Sequence, residues 1–281
     1  MHCKTTIPAT ILLTALLLSA IFSGMSPVVN TSFGAVSSKT KSSTDRSRAL
    51  IDGDTAFYTM HYEIADSLYS SIIEKEPHNA EANWRLARLY ISMGESLPPE
   101  NKEKRQPYYE KAVLHAKTSI ASNEAIAEGH TWFAASLGVL ADNIGPREKI
   151  KRANIIKNEL DRALELNPED DIAWSILGSF NREIANMGWF EKVFAKTFLG
   201  SLPKGSREEA EKMLKKAIAI NPRVIRHYHE LGKLYHDMKR YREAVEVLDE
   251  ALNKPVLMKS DERRLQNIRK LNKKLSKKID D

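Results

Sequence analysis

Apolar residues recur along this chain three and four apart, in blocks separated by polar turns, which predicts amphipathic helices from end to end. One phrase punctuates them twice. Ala163-Leu-Glu-Leu-Asn-Pro168 returns 54 residues later as Ala217-Ile-Ala-Ile-Asn-Pro222. Each copy ends a helix at Asn-Pro and is followed by an aromatic, Trp174 or Tyr228. Leu-Gly comes next, at Leu177-Gly178 and Leu231-Gly232.

This punctuation is that of tetratricopeptide (TPR) helix pairs. The last pair is the clearest, with Tyr228, Leu231, Gly232, Tyr235, Ala244, Leu248 and Ala251 at signature spacing and Pro255 after them. Gly232 and Ala244 are expected where two antiparallel helices cross closely. The preceding pair runs from Trp174 to Pro222, and the one before from Trp132, Phe133, Ala134 and Leu137 to Pro168. Trp84, Leu86, Ala87 and Tyr90 pair with Ala112 and Ala116 across an expected loop, Glu95 to Pro107. Gly53, Ala56, Ala65, Tyr69 and Pro77 form a degenerate first pair. The expected fold is all-α: a right-handed TPR-like α-solenoid of about five helix pairs over residues 49–258. Insertions fall near 95–107, 141–150 and 183–205. Leu265, Ile268, Leu271, Leu275 and Ile279 form a stripe opposite lysines and arginines, making 259–281 a basic amphipathic capping helix. A helix lying on a membrane surface is the alternative.

The N-terminus changes the picture of where the chain works. His2 and Lys4 lead into the apolar run Ile11 to Phe22, followed by small residues, which is the layout of a secretory signal. Residues 1–35 are read as that signal, or as a membrane anchor through residues 7–23, and residues 36–48 as a polar linker. Export to the periplasm or outside follows from cleavage. Cys3, the single cysteine, lies within this segment, so the mature chain would carry no disulfide and no thiolate site. The net charge of +6 is concentrated in the tail after Lys259, leaving the body neutral. A neutral body lacks the basic stripe that nucleic acid requires.

Catalytic chemistry finds no footing. His229-Glu230-Leu-Gly-Lys233 opens like a zinc-protease helix, but Lys233 stands where the second histidine belongs. Gly200 to Ser206 echoes a phosphate loop with its lysine on the wrong side of the second glycine. No G-x-S-x-G occurs. No enzyme activity, cofactor or metal is expected. TPR arrays bind along the concave surface made by the first helix of each pair. The groove-facing candidates are Trp84, Arg88, Ser175, Ser179, Arg182, Arg226, His229, Lys233 and His236, whose cations could meet a carboxylate or phosphate. Trp189, Phe190, Val193, Phe194 and Phe198 form an apolar stripe in the insertion, either extra core or one wall of a pocket.

Residues 145–258 resemble the regulator of microtubule dynamics family. The likeness rests on Lys157-Asn-Glu-Leu-Asp-Arg-Ala-Leu-Glu-Leu-Asn-Pro-Glu-Asp170, Ile176-Leu-Gly178 and the insertion from Gly188-Trp-Phe-Glu-Lys to Gly200. Pro203 and Glu208-Glu-Ala210 follow. It implies a helical repeat domain without catalytic residues, held in relatives by an N-terminal apolar segment. Microtubules, organelle contact sites and lipid handling are associated with the family. Export would separate this chain from tubulin. The expected function is therefore a non-enzymatic scaffold engaging a protein or peptide in its groove, with a carrier or tether of a lipid or other apolar ligand as the alternative.

Overall fold

The computed structural model describes residues 33–188 and 203–280, and among these the regular structure is eleven α-helices. They are α1 (Phe33–Tyr58), α2 (Tyr62–Ile73), α3 (Ala80–Ser96), α4 (Lys102–Ser122), α5 (Ala127–Ile144) and α6 (Pro146–Leu166). α7 (Asp171–Asn186), α8 (Arg207–Ile220), α9 (Ile225–Asp237), α10 (Tyr241–Leu252) and α11 (Lys259–Asp280) follow. Two compact units divide the chain, residues 1–41 and 42–281, and apart from the start of α1 everything below concerns the second.

Pairs α3/α4, α5/α6, α7/α8 and α9/α10 stack in sequence, with α3, α5, α7 and α9 also meeting one another in a row. Together with α1/α2 these are the five expected pairs. Small residues set their spacing. Ala65, Ala112, Ala116, Ala163, Ala210, Ala217, Ala244 and Ala251 are fully buried on the second helices, where a larger side chain would hold the pairs apart.

The turns between pairs share one device. Pro77, Pro168 and Pro222 cannot continue a helix, and each offers its carbonyl to a side chain six residues on. Asn83 Nδ2 donates at 3.0 Å, Trp174 Nε1 at 2.9 Å and Tyr228 OH at 3.0 Å. His130 Nε2 makes the same reach to the Glu124 carbonyl, 2.9 Å away. Asn79 and Asp170 then cap α3 and α7 by accepting from Ala82 N and Ala173 N, both at 2.9 Å.

Three expectations require correction. Residues 36–48, expected as a polar linker, are part of α1, in a stretch with no Gly or Pro between Gly34 and Gly53 to break a helix. The expected loop from Glu95 to Pro107 shrinks to residues 97–101. Pro107 is the sixth residue of α4, and the helix runs through it without the N–H that would meet the Glu103 carbonyl. The insertion near 141–150 is likewise absorbed into helix: only Gly145, at φ 145°, separates α5 from α6, and Pro146 opens the new helix. The 183–205 insertion falls mostly outside the described residues.

Within this unit α11 does more than cover the last pair. Its inner residues Leu265, Ile268 and Leu275 pack with α9 and α10. Its first turns reach back to the first two pairs. Arg263 donates to the Leu97 carbonyl (2.9 Å), Ser260 Oγ to Glu95 (3.3 Å) and Lys259 N to Tyr62 OH (3.3 Å).

Candidate binding cavity

The row of first helices, α6 and the first turn of α11 enclose a cavity of about 610 Å³. Its wall is mainly aliphatic and aromatic: Ile91 from α3, Trp132 and Val139 from α5, Ile150 and Ile156 from α6, Ile172, Ile176 and Phe180 from α7, with Val224 and Met258. Gly138 also faces it, and a Cβ there would meet nothing within 4 Å.

Charged side chains interrupt the wall, and most of them are already matched. Lys149 pairs with Asp142 and with Glu183 (3.3 Å), and Arg264 with Asp261 and Glu95 (3.7 Å). Arg182 meets Asp237 at 2.8 Å and Glu230 at 3.5 Å. Burial works to raise the Glu230 carboxyl, but Lys233, Arg226, Arg182 and His229 outweigh it and hold Glu230 far below the usual range. Arg226 makes no ion pair among the described residues, and the buried Nε atoms of Arg182 and Arg226 have no hydrogen-bond partner. Burial, with Lys233, Arg264 and Arg182 nearby, pushes His229 down to about 4 against the pull of Glu230. Its ring is therefore neutral at pH 7.

The nine groove candidates separate into three groups. Ser179, Arg182 and Arg226 line the cavity. Ser175, His229, Lys233 and His236 sit on the same helices outside its lining: Ser175 is fully buried, Lys233 pairs with Glu230 (2.9 Å) and His236 with Asp237 (3.4 Å). Arg88 belongs to the contact between α1 and α3, and Trp84 lies beside it on α3. Arg88 donates to Asp54 at 2.6 Å and stacks 3.9 Å from the Phe57 ring centroid, while Trp84 bonds Glu81 at 3.1 Å. The stripe Trp189, Phe190, Val193, Phe194 and Phe198 lies outside the described residues. Sequence reasoning missed Ile91, Trp132, Val139, Ile176 and Phe180, whose spacing cannot be told from that of core. It also missed Met258, at the end of the repeat domain, and Arg264, in the segment read as a cap or a membrane-surface helix. Among the described residues no helix is long and apolar enough to cross a membrane, and no cluster of His, Cys, Asp or Glu is placed to hold a metal.

Comparison with known proteins adds a lineage to this geometry. The family model described as Regulator of microtubule dynamics protein 1-3 matches residues 50–276. Regulator of microtubule dynamics protein 1 of Bos taurus is 30% identical over 198 residues, 70% of this chain and 62% of that protein. The Pongo abelii protein of the same name is 31% identical over 60% of this chain and 54% of its own length. Regulator of microtubule dynamics protein 2 of Homo sapiens is 28% identical over 70% and 48%. The chain thus spans about half to three-fifths of these relatives. Among solved structures, a thermophilic TPR protein of Thermus thermophilus superposes with a TM-score of 0.56 at 19% identity. The match covers 82% of this chain and 98% of that one, so the two share a fold.

Proposed function

The chain belongs to the regulator of microtubule dynamics family, and from that premise we propose that its helical array is a non-catalytic carrier or tether for a lipid or another apolar molecule. The observation that supports this reading is the cavity. A volume of about 610 Å³ lies within the usual range of small-molecule sites, and its wall offers mostly hydrocarbon. A protein or peptide in the groove is the first expectation from sequence, and an anionic segment there finds less to bind. Arg182, Lys233 and Arg264 are already paired with carboxylates, and the first turn of α11 meets α3 where such a peptide would run. Export belongs to the same proposal and rests on the apolar run Ile11 to Phe22. The mature chain is expected to begin between Ser26 and Ser38, and an intact mass that retains residues 1–25 would favour the membrane anchor.

Native mass spectrometry of the purified protein tests the carrier reading, with Gly138→Leu as the comparison. A Cβ at Gly138 would meet nothing within 4 Å, so a leucine side chain there extends into cavity space. It also replaces a mid-helix glycine, which favours the fold by up to about 1 kcal/mol. The parent should carry an apolar adduct that the variant, equally or more stable in a thermal melt, has lost. An empty parent that excludes fluorescent fatty-acid probes but binds peptides would restore the groove-binding scaffold.

A further inference from the structure

We propose that the outer face of α11 docks on an anionic membrane surface. Its inner face is spent on the core through Leu265, Ile268, Asn272 and Leu275, all buried. Facing away from them are Arg269, Lys270, Lys273, Lys274 and Lys277, with Lys278 at the edge of the row, 5.0 Å from the Tyr241 ring centroid; all six are exposed. No acidic residue interrupts the helix between Arg263 and Ile279, and among the described residues its ion pairs are confined to Arg264 in the first turns. Six cations therefore stand along roughly 15 Å of helix. Neighbours lie within a Debye length of about 8–10 Å, so the row acts jointly on any facing charge. The surplus is local, since the body of the chain before Lys259 is neutral.

The composition of the row selects the partner. Centres of specific protein interfaces are enriched in arginine and aromatics and depleted in lysine. Five of these six residues are lysines, and no aromatic lies on the helix. Flexible point charges without shape-specific anchors suit a diffuse array of anionic headgroups. With the apolar face already buried, adsorption rests on charge alone, without insertion, and salt must reverse it. Geometry adds a second reason. The opposite end of the same helix carries Arg264 and, just before it, Met258 into the cavity wall. Docking would hold that cavity within about 30 Å of the bilayer, one helix length. The proposal does not depend on what the cavity holds.

Vesicle co-sedimentation of the full chain tests it. Phosphatidylcholine vesicles are compared with vesicles in which about a third of the lipid is phosphatidylserine. The neutral vesicles report any binding through the N-terminal apolar run. Each cation near an anionic leaflet is worth roughly fivefold in partitioning. The parent should prefer anionic vesicles by tenfold or more and release them in about 0.5 M salt. Combining Lys270→Glu, Lys273→Glu, Lys274→Glu and Lys277→Glu should abolish the preference while the melting curve stays close to the parent's. Arginine at the same four positions should preserve it, separating lost charge from lost folding. Equal partitioning of the parent into both vesicle types would overturn the proposal. So would a preference that survives the glutamates, or tighter binding to duplex DNA or polyglutamate than to anionic vesicles at equal salt.

Discussion

At Gly232 a Cβ would stand 2.5 Å from Leu248 Cδ2 and 2.7 Å from its Cγ, and at Gly178 one would stand 2.7 Å from Leu214 Cγ. Both glycines lie where a first helix crosses its partner, so the missing side chain fixes the separation of the pair. Gly232→Leu should cost on the order of 1–3 kcal/mol or more. Lys277→Ala, on the exposed row of α11, should stay within about 0.5 kcal/mol. Equal losses in urea melts would show that the crossing is not close. An acid-sensitive contact joins α8 to α9 and to Arg240 at the start of α10. Glu211 accepts from Tyr235 OH at 2.9 Å and pairs with Arg240 and, at 2.7 Å, with Lys215. Burial would raise its carboxyl, yet these donors outweigh burial and hold it at about 2. A carboxyl depressed in the folded state stabilises fully above its ordinary value of 4.5, and that contribution drains away as pH falls toward 2. Glu211→Gln should cost roughly 1–3 kcal/mol at neutral pH, the worth of a charged hydrogen bond. The gap to the parent should narrow below pH 4.5; a constant gap from pH 7 to pH 3 would show that Glu211 does not titrate with folding.

Among the elements, the last two pairs were legible in sequence because their signature is local: the glycine, the alanines and the Asn-Pro phrase are each read within one helical turn. The reach to the carbonyl six residues back was less so, because Asn83, His130, Trp174 and Tyr228 perform one task with four chemistries. Trp174→Phe keeps the ring but removes the donor to Pro168, and should cost about 0.5–1.5 kcal/mol. Thermal melts that do not distinguish it from the parent would make the shared reach incidental. Loop estimates failed for the opposite reason. A proline or a Gly-Pro step signals a break, but Pro107 falls near the start of α4 and Gly145-Pro146 turns the chain in a single residue. The extra length around them therefore became helix.

For the molecule as a whole, the number and order of helix pairs could be read from periodicity, whereas the cavity could not. Ile91, Trp132 and Phe180 look like core in one dimension, and only the arrangement of four helices shows that they face an open volume. Nor does any local pattern announce that Ser260 meets Glu95 or that Arg263 meets the Leu97 carbonyl, across 165 and 166 residues. In an ordinary repeat array each unit depends only on its neighbours. Here the second pair also depends on the last helix, so deleting residues 258–281 should raise hydrogen exchange in α3 as well as in α9 and α10. Exchange that rises in α9 and α10 alone would mean the distant bonds contribute nothing. The fastening also imposes an order on folding. A ribosome delivers the N-terminus first, but contacts of such separation close late, since loop entropy must be met before they form. Pair α3/α4 can assemble early, yet it waits for the final two dozen residues before its edge is secured. A chain threading outward through a membrane channel would stay in that unfastened state until its last helix emerged.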